Sequence, residues 1–429
     1  MTLTGRVPLL LLLGLVPVVL RPDALTVWLW LALVAVLVAV DVALAPSPDA
    51  LEVVRRPVEP ARHGAPTSTT LVVTHRGHRK ARGLLRDAWQ PTAGDAENRH
   101  RLRLAPQERV LLTTDLLPTR RGTLRALGVT VRLLGPLGLA ARQRTYAVPG
   151  ELRSLPRFDS RKHLPSRLAR LRDLDGRSAV RVRGAGTEFD SLRDYVRGDD
   201  VRSIDWRASS RARNVVVRTW QPERDRRVVL VLDTSRTSAA RIDDVPRLDA
   251  AMEAAQLLAA LASRAGDRVD MVAGDRVVRR RLRTSGPGAV GEVARALTDV
   301  HPEIVEADWR SLASAVTQLG RHRALLVLLT PLEPSAVELG LLPVLGPLTR
   351  HHRVVVASVR DPELVRTARQ ADDAESVWAA VAAEQVLARR THTERMLRAL
   401  GVDVLDVDAE HLAPALADHY LSLKARGLL

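Results

Sequence analysis

The chain has 429 residues, enough for two or three folded units, each able to bury a core of its own, so a small stapled scaffold is excluded. It has no cysteine, which removes disulfides, thiolate zinc sites, iron–sulfur clusters and cysteine nucleophiles together. Lys and Arg number 65 against 49 Asp and Glu, a formal charge of +16, but aromatics are only 3%, too few for the stacking platforms of single-stranded nucleic acid readers. Lysine contributes only Lys80, Lys162 and Lys424; the rest is arginine scattered along the whole length, which reads as compositional bias rather than one basic face, and no nucleic acid partner is expected.

The N-terminus carries two apolar runs. Val7 to Leu20 is uncharged, and after Arg21-Pro22-Asp23 the run Ala24 to Leu44 carries only Asp41. The second run is long enough to span about 31 Å, a hydrocarbon core's thickness. The expectation is a transmembrane helical hairpin over 1–45, with spans at about 7–21 and 24–44. A signal peptide competes, since Ala43-Leu44-Ala45 resembles a cleavage site, but the apolar stretch is long and Pro46 follows the scissile position. Arg6 before the first span and Arg55, Arg56 and Arg62 after the second place the soluble bulk in the cytoplasm by the positive-inside rule, in a two-span cell-membrane protein. Trp28 and Trp30 fall early in the second span, at the outer interface in this arrangement.

Residues 46–158 alternate short β-leaning runs with Pro, Gly and charged turns: 51–54, 69–74, 99–104, 109–113 and 128–133. Their spacing suggests a small β-sandwich. His63, His75, His78 and His100 match no metal-ligand spacing and read as surface histidines.

Residues 159–223 form a charged connecting segment, densest from Gly184 to Glu223. Glu188, Arg193, Asp194, Tyr195, Arg197, Asp199, Asp200, Arg202, Asp205, Trp206 and Arg211 alternate in sign, with aromatics between them. Opposite charges three apart, as in Arg202 and Asp205, meet on one face of a helical turn, after a turn at Gly198. Two readings stay open: arginine–carboxylate pairs locking the segment against the next domain, or a docking surface for another protein, where Arg, Tyr and Trp are favoured anchors. Acid–base catalysis fits poorly, because every carboxylate has an arginine close enough in sequence to keep it ionised.

From 224 to 429 continuous apolar runs alternate with amphipathic helices. Strands are expected at 227–232, 268–272, 324–329, 353–358 and 402–405, and helices at 247–265, 287–300, 309–319, 334–348, 375–400 and 409–427. Strands apolar throughout are buried on both faces, the pattern of a parallel sheet between helices, where ligands sit beyond the carboxyl ends of the strands. The first strand ends in Asp233-Thr-Ser235-Arg-Thr237, which offers a carboxylate and two hydroxyls to Mg²⁺. This resembles the metal-ion-dependent adhesion site of the von Willebrand factor A fold. That site also needs a threonine from a second loop and an aspartate after a later strand. Here those places hold Ala307-Asp308-Trp309 and Thr330-Pro331-Leu332-Glu333, so the site reads as degenerate and its loop as structural, with Asp308 or Glu333 as substitute ligands the alternative. Gly286-Pro-Gly288-Ala-Val-Gly291 reads as a helix start rather than a dinucleotide fingerprint; no phosphate-loop lysine, G-x-S-x-G or H-E-x-x-H occurs.

Taken together, Glu188-Phe-Asp-Ser-Leu-Arg193-Asp-Tyr195, Gly198-Asp199, Arg202, Ile204-Asp205-Trp206 and Arg211 resemble the signature of the domain-of-unknown-function-58 family. Arg121-Gly122, Gly138-Leu139, Pro156 and the stretch Tyr420 to Gly427 extend the likeness over nearly the whole chain. Gly135-Pro-Leu-Gly-Leu139 departs from the family, which usually carries an aspartate and a phenylalanine before Gly-Leu. The resemblance implies an α/β chain: two membrane helices, a β-rich domain, the signature segment and a von Willebrand factor A-like domain, a Rossmann-like parallel sheet with helices on both faces. It also implies a MoxR-type AAA+ ATPase as partner, since members are commonly encoded beside such ATPases and are thought to act with them in protein assembly or maturation. The leading expectation is a non-enzymatic membrane adaptor. A metal-dependent enzyme using Asp233 with Glu333, or a cell-envelope structural protein, are its rivals.

Overall fold

The computed structural model describes residues 2–181, 188–211, 214–221, 226–242, 245–320, 322–370 and 372–429. The chain divides into two compact units, Met1–Leu155 and Pro156–Leu429.

The first unit opens with short helices α1 (Arg6–Leu13) and α2 (Leu15–Leu20), then α3 (Ala24–Leu44). Among the described residues only the helix beginning at Ala24 is long and apolar enough to cross a membrane; the Arg6–Leu20 stretch is shorter. The expected first span is therefore two short helices, interrupted at Gly14. Trp30 explains the glycine: a Cβ at Gly14 would lie 2.4 Å from its indole ring, and that indole donates to the Leu10 carbonyl at 3.1 Å. Trp30 thus packs α3 on α1. Asp41, one turn from the end of α3, is fully buried. Its carboxylate accepts the backbone N–H of Leu137 at 2.7 Å, of Leu139 at 2.7 Å and of Ala140 at 2.8 Å. The turn that departs from the family pattern is held through its backbone, and a Cβ at Gly135 would meet Asp41 at 2.3 Å. Thr4 donates to the Gly138 carbonyl and Arg6 to that of Leu137, so both ends of the apolar stretch meet this turn.

Eight longer strands follow: β1 (Leu51–Arg55), β2 (Thr67–His75), β3 (Ala81–Trp89), β4 (Arg99–Leu104), β5 (Arg109–Leu116), β6 (Gly122–Leu134), β7 (Ala140–Tyr146) and β8 (Glu151–Leu155). The order β1-β2-β5 makes one antiparallel sheet; β6 is the hub of the other, pairing with β3, β7 and β8, while β4 pairs with β3. Leu51, Leu71 and Val73 of the first sheet share one core with Leu85, Leu102, Val129, Val131 and Leu133 of the second. Alternation of buried and exposed residues along β2 and β6 follows from the two-residue period of strands. Across this core runs a buried ion pair. Arg55 (side chain 2% exposed) donates to both oxygens of Asp87 (0% exposed), at 2.6 and 2.9 Å. Thr69 and Thr114 complete the cluster, and the guanidinium lies 4.8 Å over the Trp89 ring. Arg55 is therefore not a free flanking charge. His75, expected at the surface, is 1% exposed and bonds the Ala105 carbonyl through Nδ1 at 3.1 Å.

The second unit begins with α4 (Leu164–Arg181), a helix with no sequence expectation, followed by a two-stranded antiparallel ribbon of β9 (Glu188–Asp194) and β10 (Val216–Gln221), with the short helix α5 (Trp206–Ser209) between them. Then come β11 (Arg227–Asp233), α6 (Arg247–Arg264), β12 (Arg268–Gly274), β13 (Val278–Thr284), α7 (Ala289–Leu297), α8 (Trp309–Leu319), β14 (Leu325–Leu329), α9 (Leu342–His351), β15 (Arg353–Val359), α10 (Ala374–Ala399), β16 (Asp403–Val407) and α11 (Ala409–Ala425). Six strands form one sheet in the order β13-β12-β11-β14-β15-β16, parallel except for the antiparallel edge β13. Leu230, Leu232, Met271 and Val327 pack with α6, α7 and α11 on one face, and Val229, Val231, Leu326 and Leu328 with α8 and α9 on the other. This two-sided burial is why the central strands β11, β14 and β15 are apolar along most of their length. Gly288 precedes α7, so the glycine-rich run is a helix start.

Candidate functional site

The carboxyl edge of the sheet and the signature ribbon hold the residues singled out in the sequence. At the edge, β11 and β14 run in register with Leu232 opposite Leu329, so the next residues, Asp233 and Thr330, emerge side by side. Asp233 is 2% exposed. Its Oδ1 accepts the Ser235 amide at 2.8 Å, and its Oδ2 accepts the hydroxyls of Thr330 at 2.7 Å and Thr237 at 3.3 Å. The Ser235 and Thr237 hydroxyls lie 3.1 Å apart. Burial pushes the Asp233 carboxyl above its ordinary range, and the donors from Ser235, Thr330 and Thr237 offset only part of this.

Of the expected substitute ligands, Asp308 is engaged in capping a helix. Asp308 caps α8, accepting the amides of Arg310 at 3.0 Å and Ser311 at 3.2 Å and the Ser311 hydroxyl at 2.7 Å, and these bonds hold its pKa low. Glu333 is half-buried, within electrostatic reach of Arg236 and Arg247. Mg²⁺ takes an octahedron of oxygens, at a protein site by way of one or two carboxylates. Here the loop offers one carboxyl whose oxygens already accept three donors, and no group of three His, Asp or Glu suited to a metal occurs among the described residues. As placed, the Asp233 oxygens and the two hydroxyls are engaged in hydrogen bonds within the edge.

The same edge is tied by residues that the sequence did not single out. Thr234 donates to Asp275 at 2.6 Å, and Arg279 grips the same carboxylate at 2.9 and 3.1 Å. Burial would raise Asp275, but the bonds from Arg279, Thr234 and the Val277 amide outweigh it and leave the pKa lowered. Buried Arg390 of α10 bonds Asp406 at 2.7 Å and Ser358 at 3.2 Å, and the Ser358 hydroxyl accepts the Leu332 amide at 3.1 Å. The only sequence signal for Thr330 was its place directly after a buried strand. These contacts give a hydrogen-bonded latch between loop tips.

In the ribbon, the signature charges pair within the segment itself. Arg193 makes a two-pronged bond to Asp199 at 2.6 and 2.7 Å, and Asp199 also accepts the Val196 amide at 2.9 Å. Asp205 caps α5 through the Ala208 amide at 2.9 Å and pairs with Arg218 of β10 at 2.7 Å, not with Arg202 as its spacing suggested. The reason is local: helix starts after Asp205, so the residue three before it is not one turn away on the same helix. Arg202 instead donates its amide to Asp200 at 3.0 Å. The Arg193 guanidinium is the main cause that lowers Asp199, and the Ala208 amide, then Arg218, lower Asp205, so both carboxylates stay ionised. Tyr195 is half-buried, its amide bonded to the Val215 carbonyl at 2.8 Å. Trp206 is 67% exposed, and Val196, Val201, Arg202 and Arg211 are exposed as well. The side chain of Glu188, residues 184–187, and Pro222 with Glu223 lie outside the described residues.

An exposed, internally paired ribbon joined to a two-faced parallel sheet with a latched carboxyl edge defines a mixed α/β chain of several sheets. Residues 191–404 match the family model "Protein of unknown function DUF58", and the chain belongs to that family. No curated protein matches it. Among solved structures it is similar to an aerotolerance-related membrane protein from Bacteroides fragilis, at 15% identity over 47% of this chain and 99% of that one, TM-score 0.29. It is also similar to the PapD-like domain 7 of human CEP192, at 13% identity over 25% of this chain and 89% of that one, TM-score 0.18. Likenesses this slight carry no functional statement.

Proposed function

We propose that this chain is a non-enzymatic, membrane-anchored adaptor whose signature ribbon and von Willebrand factor A-like domain bind a protein partner, a MoxR-type AAA+ ATPase, in protein assembly or maturation. The observation that carries the reading is the division of labour in the ribbon. Arg193 pairs with Asp199 and Asp205 with Arg218, while Trp206, Val196, Val201, Arg202 and Arg211 of the same segment are exposed. An indole and arginines around apolar side chains are the residue types that anchor protein interfaces. The anchor is a hairpin of Arg6–Leu20 and Ala24–Leu44; the bonds from Thr4, Arg6 and Asp41 to the 135–140 turn support having both its ends on one side. Arg6, Arg56 and Arg62 then favour the cytoplasmic side, without Arg55.

The test is crosslinking in native membranes followed by mass spectrometry, comparing wild type with Trp206→Ala/Val201→Ser and with Asp205→Ala. The first variant removes surface and keeps the ribbon's internal pairs; it should lose an AAA+ ATPase crosslink while unfolding at the wild-type temperature. An unchanged partner set in that variant, or no AAA+ ATPase recovered with wild type, removes the proposal.

A further inference from the structure

The sheet has a second edge. β11, β12 and β15 each open with an arginine, Arg227, Arg268 and Arg353, and parallel register places Arg227 opposite Arg268. Beside this row lies a cavity of about 650 Å³, lined among the described residues by six arginines, two aspartates, His322 and Leu429, with Arg353 already paired to Asp403. Its volume falls in the small-molecule range of about 300–1,000 Å³. Both aspartates have partners already: Asp270 pairs with Arg227, and Asp267 accepts the Tyr420 hydroxyl at 2.6 Å. Arg227 and Arg283 are positioned by the Leu319 carbonyl, at 2.7 and 2.9 Å. Arg226 and Arg323 have no ion-pair partner among the described residues.

A second observation is independent of this charge. Thr284, which ends β13 at the cavity wall, is 9% exposed, and its hydroxyl has no hydrogen-bond partner among the described residues. A buried hydroxyl without a partner costs free energy, and because its oxygen has almost no accessible surface a ligand would reach it only after the cavity wall shifts. An adjoining groove of about 280 Å³ shares Arg283 and Leu319 and adds Arg281, which extends the cationic lining along the edge strand.

We propose that this cavity is a binding site for a small soluble molecule bearing several phosphate groups. Arginine's planar fork matches phosphate oxygens in pairs, and partly fixed guanidinia lose little entropy on binding. Among the described residues neither cavity is lined by Trp, Tyr or Phe, so recognition rests on the phosphates and not on a stacked base. The site lies at the opposite end of the strands from Asp233 and does not depend on the adaptor reading.

The test is calorimetric titration of the detergent-solubilised full chain with inorganic tripolyphosphate, ATP and citrate. Tripolyphosphate should bind saturably at one site per chain, ATP within a few-fold of it, and citrate about tenfold more weakly. Arg226→Ala/Arg323→Ala should weaken tripolyphosphate about tenfold with an unchanged unfolding temperature. Arg280→Ala, exposed on β13 outside the cavity, should stay within about twofold of wild type. Absence of saturable binding, citrate equal to tripolyphosphate, or equal losses in Arg280→Ala and the double variant would each overturn the site.

Discussion

The Arg55–Asp87 pair is the sharpest place to perturb the first unit. Both side chains are out of water, and the two bonds between them cross from one sheet to the other. Arg55→Met leaves Asp87 with only the Thr114 hydroxyl at 3.2 Å and the Trp89 indole at 3.4 Å, long neutral donors that compensate little for a buried charge. Removing one partner of such a pair costs about 3–5 kcal/mol. The converse variant, Asp87→Leu, leaves Arg55 with Thr69 at 3.0 Å and a similar loss. With both replaced, no charge is stranded, and the double variant should unfold within about 2 kcal/mol of wild type, or above it. For a unit of 155 residues, an unfolding entropy of about 2.1 cal/mol/K per residue makes about 4 kcal/mol a drop near 12 °C in midpoint. The assay is thermal and urea unfolding of the full chain followed by tryptophan fluorescence, which Trp89 reports because the guanidinium lies over its ring. Single variants within about 1 kcal/mol of wild type, or a double variant whose loss equals the sum of the two, would refute the reasoning.

Because burial raises Asp233, its folded carboxyl holds a proton to higher pH than the unfolded one, so its contribution is present below the unfolded value and is lost as pH rises through the folded pKa. Asp233→Asn should therefore gain stability relative to wild type as pH rises from about 4 towards 7; a difference that is flat with pH contradicts this. Mg²⁺ titrated into the wild-type chain should give no saturable heat and no shift in midpoint, and a shift that Asp233→Ala abolishes would reinstate the metal. Asp41→Leu should speed amide hydrogen exchange at Leu137, Leu139 and Ala140, the three groups it accepts, while β2 stays protected.

The parallel strands were legible because every position from Val228 to Leu232 and from Leu325 to Leu329 is buried, and burial on both faces writes a continuous apolar run. The edge strand β13 escaped notice because Val278, Leu282 and Thr284 turn inward among exposed arginines. β3 was missed for the opposite reason. Asp87 looks like a solvent residue until Arg55, 32 positions earlier, is brought to it. The signature shows the same limit, with Asp199 pairing six residues back and Asp205 thirteen ahead, distances set by the ribbon's fold rather than by helical spacing. The Asp233 loop was visible as a motif, but the motif named a ligand set while the register across β14 supplied Thr330, which turns those oxygens into acceptors.

Asp41 also bears on how this protein can be handled. Val7, Val34 and Leu139 form one apolar cluster beside it, so the hydrophobic N-terminus is stitched to the β-sheet by both packing and hydrogen bonds. Trimming the chain at residue 46 to obtain a water-soluble fragment would strip three amides of their acceptor and bare Leu139 in a single cut. A fragment beginning at Pro156 cuts between the two compact units and leaves that seam untouched.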